Sequence, residues 1–177
     1  MERDELARRI DERCRLTGEF LLRSGTVSNR YFDKYQFEGD PVLLAAVAEH
    51  LHPMIPAGTE VLGGLELGGV PVATALALAS GLPVTFVRKE AKAYGTARLA
   101  EGADIEGRRV LVVEDVITTG GQVVLATGDL RERGAVVDTV LCVIDRSGGD
   151  HSALTAAGIT IRSLFTAADL DRAHAGS

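Results

Sequence analysis

From residue 60 onward, short apolar runs alternate with segments of helical pattern, and this rhythm constrains the fold more than any other feature. Strands are predicted for five stretches: EVLGG, PVTFVRK, RRVLVVEDV, AVVDTVLCVID and GITIRSLF. Helices are predicted for VPVATALALAS, which Gly81 ends, and for residues 121–133 before Gly134. This alternation predicts an α/β fold with a mostly parallel sheet flanked by helices. Ligands of such sheets bind beyond the carboxyl ends of the strands, here after Gly64, Val87, Val113 and Ile144.

The first forty residues have a different pattern. Apolar residues at helical spacing predict an amphipathic helix from residue 3 to about 23, and a β-prone stretch, SGTVSNRYFDKYQFEGDP, follows it. Asp40 and Pro41 then suit the N-cap and first position of a second helix through VLLAAVAEHL. With no repeat and no linker, residues 1–177 are expected to form a single domain.

Composition excludes several classes of protein. A net charge of −6 argues against the whole molecule acting as a nucleic-acid binder, although a local basic site for an anion is compatible with it. Cys14 and Cys142 lie far apart without a CxxC motif, so we expect reduced thiols rather than a disulfide. The charged start MERDELARRIDERC does not resemble a signal peptide, and no apolar run is long enough to span a membrane, so a cytoplasmic protein is expected.

The stretch VVEDVITTGGQ, residues 112–122, ends a buried strand in two carboxylates and continues through a bare turn into a helix. Burying Glu114 and Asp115 is costly unless they are paired or face a ligand. The turn offers free backbone N–H groups at a helix N-terminus, which suits a phosphate. Carboxylates beside a phosphate site fit the hydroxyls of a ribose 5-phosphate, whereas the alternative is an ordinary capped helix with a solvated acidic turn.

A basic stretch follows the predicted strand at residues 83–89. FVRKEAKAYGTARLAEGADIEG runs for about twenty residues before the next predicted strand and carries Arg88, Lys89 and Lys92 in an otherwise acidic chain. A cationic loop is what a departing diphosphate needs, because it neutralises developing charge and excludes water. The alternative is a solvated charged hairpin.

The segment VLVVEDVITTGG resembles the phosphoribosyl-diphosphate (PRPP) binding motif of the type I phosphoribosyltransferases. The resemblance implies the type I fold, with Glu114 and Asp115 on the ribose hydroxyls and the turn from Thr118 on the 5-phosphate. Together with Lys92, these two carboxylates are the expected catalytic residues. The expected PRPP-binding residues are Arg88, Lys89, Lys92, Glu114, Asp115, Val116, Ile117, Thr118, Thr119, Gly120, Gly121 and Gln122.

Further segments resemble the orotate phosphoribosyltransferase family, namely RKEAK, LLRSGTVSNRYFD, GLELGGVPVATALA and VIDRSGG, so that the resemblance covers most of residues 16–149. It implies a small N-terminal hood region within about residues 1–40. It also implies that Lys92 stabilises the leaving diphosphate in a neighbouring subunit's site, hence a homodimer that shares the 88–102 loop. Thr118 and Arg146 are implied to contact orotate.

Thr118 bears on which base is used. In purine phosphoribosyltransferases the matching position is typically acidic, whereas here it is a neutral hydroxyl, and the orotate carboxylate would suit an arginine such as Arg146. The expected reaction joins orotate to PRPP, giving orotidine 5′-phosphate and diphosphate on the route to UMP. Mg²⁺ is expected to arrive on the diphosphate rather than on protein ligands. The alternatives are a phosphoribosyltransferase for another base and a non-catalytic PRPP-sensing regulator on the same fold.

Three departures from the family pattern stand out. Val27 replaces a lysine of many bacterial members, and either Arg30 or Lys34 could supply the cation. Tyr94 stands where many relatives have a histidine, so the loop loses a group that can carry positive charge. Leu67-Gly68 replaces a frequent Tyr-Lys pair, which would leave backbone N–H groups to make that contact.

Overall fold

The computed structural model describes residues 1–21, 25–89 and 99–175. Within them the strands are β1 (Arg15–Leu21), β2 (Val27–Phe32), β3 (Val61–Leu65), β4 (Val84–Val87), β5 (Ala100–Gly102), β6 (Val110–Ile117), β7 (Thr139–Asp145) and β8 (Thr160–Thr166). The α-helices are α1 (Arg3–Cys14), α2 (Tyr35–Glu38), α3 (Pro41–Leu51), α4 (Gly69–Ser80), α5 (Gly121–Glu132), α6 (Ser152–Ala156) and α7 (Ala167–Ala175). A short 3₁₀ turn, His52–Met54, follows α3.

Six strands form one mixed sheet in the order β5-β4-β3-β6-β7-β8, and the other two form a separate hairpin. All neighbouring pairs in the large sheet are parallel except β4 with β5, at the edge. The sheet therefore confirms the predicted α/β class. Because β3, β4 and β6 are adjacent and parallel, their carboxyl ends meet at one edge.

The sheet separates two hydrophobic cores. On one face, Leu6, Leu43 and Leu76 from α1, α3 and α4 pack in a cluster with Leu111 of β6. On the other face, Leu130 of α5 belongs to a second cluster with residues of α6, β6 and β7. Each of the seven residues of β7 is buried, as expected for a central strand covered on both faces.

Local signals in the sequence set several helix ends correctly. The Asp40 side chain accepts hydrogen bonds from the N–H groups of Val42 and Leu43, with Pro41 at the first helical position. Gly81 ends α4 in the left-handed conformation, at φ 76°, where glycine avoids the clash of a Cβ atom. Both assignments confirm the predicted boundaries.

The predicted N-terminal helix is wrong beyond residue 14. The chain turns to extended backbone at Arg15, and β1 pairs antiparallel with β2 instead. The Cys14 carbonyl accepts a hydrogen bond from the Asp33 N–H, so the helix end is satisfied by the second strand's continuation. Phe20, which had been assigned to the helix face, packs on Tyr31 with 5.5 Å between ring centroids. Cross-strand pairing here outweighs a helical apolar spacing.

The loop after β4 was predicted to run for about twenty residues, and this length is also wrong. Residues 100–102 form β5, which pairs antiparallel with β4, and the Arg88 N–H donates to the Leu99 carbonyl at 2.9 Å. Residues 88 and 99 are therefore joined at the base of a hairpin. Three helices were missed, namely α2, α6 and α7.

Cys14 and Cys142 are buried free thiols. Burial raises the pKa of the Cys14 thiol to about 12, so the group stays neutral. In the described parts of the chain, no helix is both long and apolar enough to cross a bilayer.

Candidate active site

A cavity of about 340 Å³ opens at the carboxyl ends of β3, β4 and β6. Its walls come from the β3–α4 turn, from Val87 to Lys89, from the β6–α5 segment and from Lys34 and Tyr35 before and in α2. The cavity brings together all the predicted PRPP-binding residues within the described ranges: Arg88, Lys89, Glu114, Asp115, Val116, Ile117, Thr118, Thr119, Gly120, Gly121 and Gln122. Lys92 and Tyr94 lie outside the residues that the structure describes.

The turn between β6 and α5 has the geometry of an anion site. Gly120 adopts the left-handed conformation, at φ 75°, and α5 begins at Gly121. A Cβ atom on Gly120 would lie 2.9 Å from Leu154 Cγ, so both the backbone angle and the packing require glycine. Thr118 and Thr119 are exposed in front of the helix N-terminus. The N-terminus of α5, with its dipole, and two exposed threonines therefore lie together in one wall of the cavity.

The two carboxylates at the end of β6 differ in environment. Asp115 is 0% exposed, and its Oδ2 lies 2.5 Å from the Nζ of Lys34. Asp115 Oδ1 accepts a hydrogen bond from the Val116 N–H at 2.6 Å, and Glu114 Oε1 accepts one from the Asp115 N–H at 3.1 Å. A third carboxyl, Glu38 of α2, is buried nearby with 7% exposure. Three acidic groups and one lysine thus form a compact cluster.

The three carboxyl groups of the cluster differ in pKa. Burial raises the pKa of Glu114 to about 9, and hydrogen bonding and repulsion from Asp115 act in the same direction. The pKa of Glu38 is likewise raised to about 9, first by burial and then by Asp115. Burial also opposes ionisation of Asp115, but hydrogen bonds from Glu114, Glu38 and Lys34 outweigh it and hold its pKa below the usual range. At neutral pH Asp115 is therefore the ionised member, paired with Lys34.

The β3–α4 turn lies directly against this cluster. A Cβ atom on Gly68 would lie 1.9 Å from Asp115 Oδ2, and one on Gly69 would lie 2.3 Å from the Val113 carbonyl oxygen. Neither glycine has a positive φ, so close approach rather than backbone angle explains both. The GLELGG sequence therefore allows the turn to lie against the end of β6, with Glu66 and Leu67 at the cavity wall.

The cations after β4 have distinct partners. The Arg88 Nε lies 3.4 Å from Glu101 Oε1 of β5, so its guanidinium is drawn towards the hairpin edge. The Lys89 N–H donates to Glu66 Oε2 at 2.9 Å, which ties the β4 end to the β3–α4 turn. Both residues nevertheless line the cavity.

Arg146 does not line this cavity. Its guanidinium stacks on Phe32 of β2 at 5.2 Å, in a neighbouring cavity of about 140 Å³ that also contains Arg15 and Arg30. Its backbone is close to the turn, however, because the Arg146 N–H donates to the Ile117 carbonyl at 2.7 Å. Thr118 follows β6 and Arg146 follows β7, and these two strands are paired. Thr118 lines the larger cavity, and Arg146 lines the smaller one.

Several site features were missed from the sequence. Asp145 accepts a hydrogen bond from the Ser147 N–H and lies 2.7 Å from His151 Nε2, which stabilises the turn that carries Arg146. The sequence did not indicate a role for Glu38, because the residues around it in the cluster are distant in sequence. Lys34, one of two candidates to replace the cation missing at Val27, lies at the cavity, whereas Arg30 lies in the neighbouring one.

In the described ranges, no group of three or more His, Cys, Asp or Glu side chains is placed to hold a metal ion. The wall formed by Glu66–Gly68 and Arg88–Lys89 contains two cationic side chains and a single carboxylate, Glu66, rather than a carboxylate cage. This donor set fits a Mg²⁺ ion held mainly by the phosphates and water, the usual coordination of that ion with nucleotides and diphosphates.

Comparison with known proteins agrees with this geometry. The phosphoribosyl transferase domain family matches residues 43–159. The chain is 55% identical over 169 residues to the orotate phosphoribosyltransferase of Nocardioides sp., covering 96% of this chain and 94% of the relative. The crystal structure of Mycobacterium tuberculosis orotate phosphoribosyltransferase in complex with Fe(III) dicitrate superposes with a TM-score of 0.86, at 36% identity and 95% and 98% coverage. The complex of that enzyme with PRPP gives a TM-score of 0.81 at 32% identity, covering 96% and 98%.

Fold, site and domain match together define the class: the chain belongs to the phosphoribosyltransferase family. Within that family it groups with the orotate phosphoribosyltransferases, to which its relatives in both bacteria and archaea belong.

Proposed function

We propose that the protein transfers the 5-phosphoribosyl group of PRPP to orotate, giving orotidine 5′-phosphate and diphosphate in pyrimidine biosynthesis. The observation that carries the proposal is one cavity in which the buried Asp115 adjoins the N-terminal turn of α5, with the neutral side chain of Thr118 in its wall. The 55% identity to a curated orotate phosphoribosyltransferase supports the choice of base.

The ribose 5-phosphate half of PRPP is assigned to the β6–α5 segment. The 5-phosphate accepts hydrogen bonds from the backbone and hydroxyls of residues 118–122, where the helix dipole favours negative charge. The ribose hydroxyls donate to Glu114 and Asp115. This places the anomeric carbon towards the β3–α4 turn, where the diphosphate faces Gly68 and Lys89.

Orotate is assigned to the region between Thr118 and Arg146. The Arg146 guanidinium suits the orotate carboxylate as a bidentate partner, and a turn from Phe32 towards Thr118 would bring it to the base. The Arg146 N–H already donates to the Ile117 carbonyl, so the two backbones are close. Only the Arg146 side chain would therefore need to rotate.

The reaction is a displacement at the anomeric carbon. The bond to diphosphate breaks, the diphosphate leaves with the electron pair, and orotate N1 forms the new bond after releasing its proton to water. Mg²⁺ on the diphosphate supplies further neutralisation of charge. The residues of this chain contribute position and electrostatics: Asp115 and Glu114 orient the sugar, and Arg88, Lys89 and Lys92 neutralise the leaving group.

The organisation of the protein is proposed on the same basis. Residues 1–177 act as one domain, with the β1–β2 hairpin and α2 as the hood over the site. A cytoplasmic homodimer that shares the 88–102 loop between sites is proposed from the family resemblance, and sedimentation of the purified protein with and without PRPP tests the dimer.

The decisive experiment follows orotate by its ultraviolet absorbance in the presence of PRPP and Mg²⁺, with uracil, adenine and hypoxanthine as competing bases. We expect consumption of orotate alone. Use of a purine would identify a transferase for another base, whereas binding of PRPP without product from any base would identify a regulator.

A further inference from the structure

Lys34 connects three parts of the chain at the site. It precedes α2, its Nζ lies 2.5 Å from Asp115 Oδ2 at the end of β6, and the same oxygen lies against Gly68 of the β3–α4 turn. The Lys34 side chain keeps 32% of its surface exposed and lines the cavity, whereas Asp115 has none exposed. Lys34 is therefore the more exposed member of an ion pair whose two residues both line the cavity.

The charge balance of the cluster gives this contact its importance. Glu38, Glu114 and Asp115 are all removed from solvent to some degree, and two of them raise their pKa to about 9. A buried carboxylate among other acids protonates unless a cation compensates it. Glu38 carries no positive charge in either protonation state, so it cannot replace Lys34 as the partner of an ionised Asp115.

We propose that Lys34 is a positioning residue for phosphoribosyl transfer, which keeps Asp115 ionised and in place so that it accepts hydrogen bonds from the ribose hydroxyls of PRPP. The inference rests on the proposed function for the identity of the ligand. Lys34 lies outside residues 43–159, which match the phosphoribosyl transferase domain, so it is an addition of the N-terminal segment to that machinery.

The inference predicts a specific pH dependence. An opposite charge within about 4–6 Å lowers a carboxyl pKa by roughly 1–3 units, so loss of Lys34 should raise the pKa of Asp115 by about that much. A protonated Asp115 accepts fewer hydrogen bonds from a diol, and PRPP binding then weakens at low pH. The groups that face Asp115 are Lys34, Glu38, Glu114 and, on β7, Cys142, while Glu66 and Lys89 line the same cavity.

The test compares Lys34→Met with Lys34→Arg, using Arg8→Met as the control. Arg8 forms an exposed pair with Glu12 on α1, so its removal changes the net charge equally but far from the cluster. For each protein, kcat and the KM values for PRPP and orotate are measured from pH 5.5 to 9.5.

For Lys34→Met we expect a KM for PRPP raised at least about tenfold at pH 6 and an acidic limb of kcat/KM for PRPP shifted upward by about 1–3 units. The shift should shrink towards pH 9, and the KM for orotate should change little. Lys34→Arg should lie between wild type and Lys34→Met, because it retains the charge, and Arg8→Met should follow wild type. A Lys34→Met profile parallel to wild type, or a loss confined to orotate, would overturn the inference.

Two further measurements keep the outcome clear. If Lys34→Met does not fold, Lys34→Gln replaces it: an upward shift of the acidic limb with weaker PRPP binding supports the inference, and a profile parallel to wild type overturns it. Calorimetric titration of PRPP without orotate gives the same pH dependence independently of turnover. A wild-type protein that binds PRPP but does not consume orotate would refute the proposed function while still testing Lys34.

Discussion

Replacing Gly68 by alanine tests whether the close contact between the β3–α4 turn and Asp115 is needed for activity. The backbone of Gly68 has φ −68°, which alanine adopts without strain. The added methyl group would, however, lie 1.9 Å from Asp115 Oδ2 and 2.3 Å from its Cγ. Space, and not backbone conformation, is therefore the single variable that Gly68→Ala changes.

The size of the effect follows from these distances. Relieving the overlap requires the carboxylate or the turn to retreat by roughly 1 Å or more, which breaks the 2.5 Å contact with Lys34. Misplacement by about 1 Å at a catalytic site can lower the rate by about a hundredfold, or ~2.7 kcal/mol of transition-state stabilisation. Overpacking of this kind also lowers the free energy of unfolding by about 1–3 kcal/mol.

The assay is orotate consumption at saturating and limiting PRPP, together with thermal unfolding. We expect kcat/KM for PRPP to fall about a hundredfold in Gly68→Ala, with a lower Tm. Gly128→Ala is the matched control, because Gly128 lies in α5 with no atom within 4 Å of an added Cβ and alanine there favours the helix. Wild-type kcat/KM in Gly68→Ala would show that Asp115 is not held by this contact and would refute the reasoning.

Three further outcomes are expected. Arg146→Ala should raise the KM for orotate by about ten- to a hundredfold, since a hydrogen bond to a charged group contributes about 1.5–3 kcal/mol, and steady-state kinetics with an unchanged KM for PRPP checks it. Lys92→Ala should lower kcat at least about a hundredfold while changing PRPP affinity less, and an unaltered kcat would remove the loop from the mechanism. Because the folded-state pKa of Glu38 is about 9, the folded protein binds more protons than the unfolded chain between pH 4.5 and 9, and the free energy of unfolding falls as pH rises through that window. The Tm of Glu38→Gln should therefore decrease less than the Tm of wild type between pH 5 and 9. An equal decrease in the two proteins would show that Glu38 is ionised in the folded state.

Features that depend on neighbouring residues could be predicted from the sequence. The central strands have continuous apolar runs, Asp40-Pro41 and Gly81 mark helix ends, and the 112–122 segment carries its own turn chemistry. β1 and β5 could not be predicted in this way, because each is stabilised by pairing with another strand rather than by its own pattern.

The site shows the same division. The turn at residues 118–122, to which we assign the 5-phosphate, is a local feature, and the sequence predicts it. The ion pair between Lys34 and Asp115, and the requirement for Gly68 beside it, arise only when distant segments pack together. Arg146 is intermediate: its position after β7 was predicted correctly, but its stacking on Phe32 depends on the hairpin.

The cluster around Asp115 also has a consequence for how the protein is made. The six-stranded sheet is assembled from residues 61–166, but the acidic end of β6 is compensated by a lysine from the N-terminal segment. During synthesis that segment leaves the ribosome first, so Lys34 is present before β6 exists. In a chain whose N-terminal segment has not docked, Glu114 and Asp115 would lack the positive charge of Lys34. Their negative charge would then repel an anionic substrate. Docking of the N-terminal segment is therefore the folding step that supplies the cation to the site.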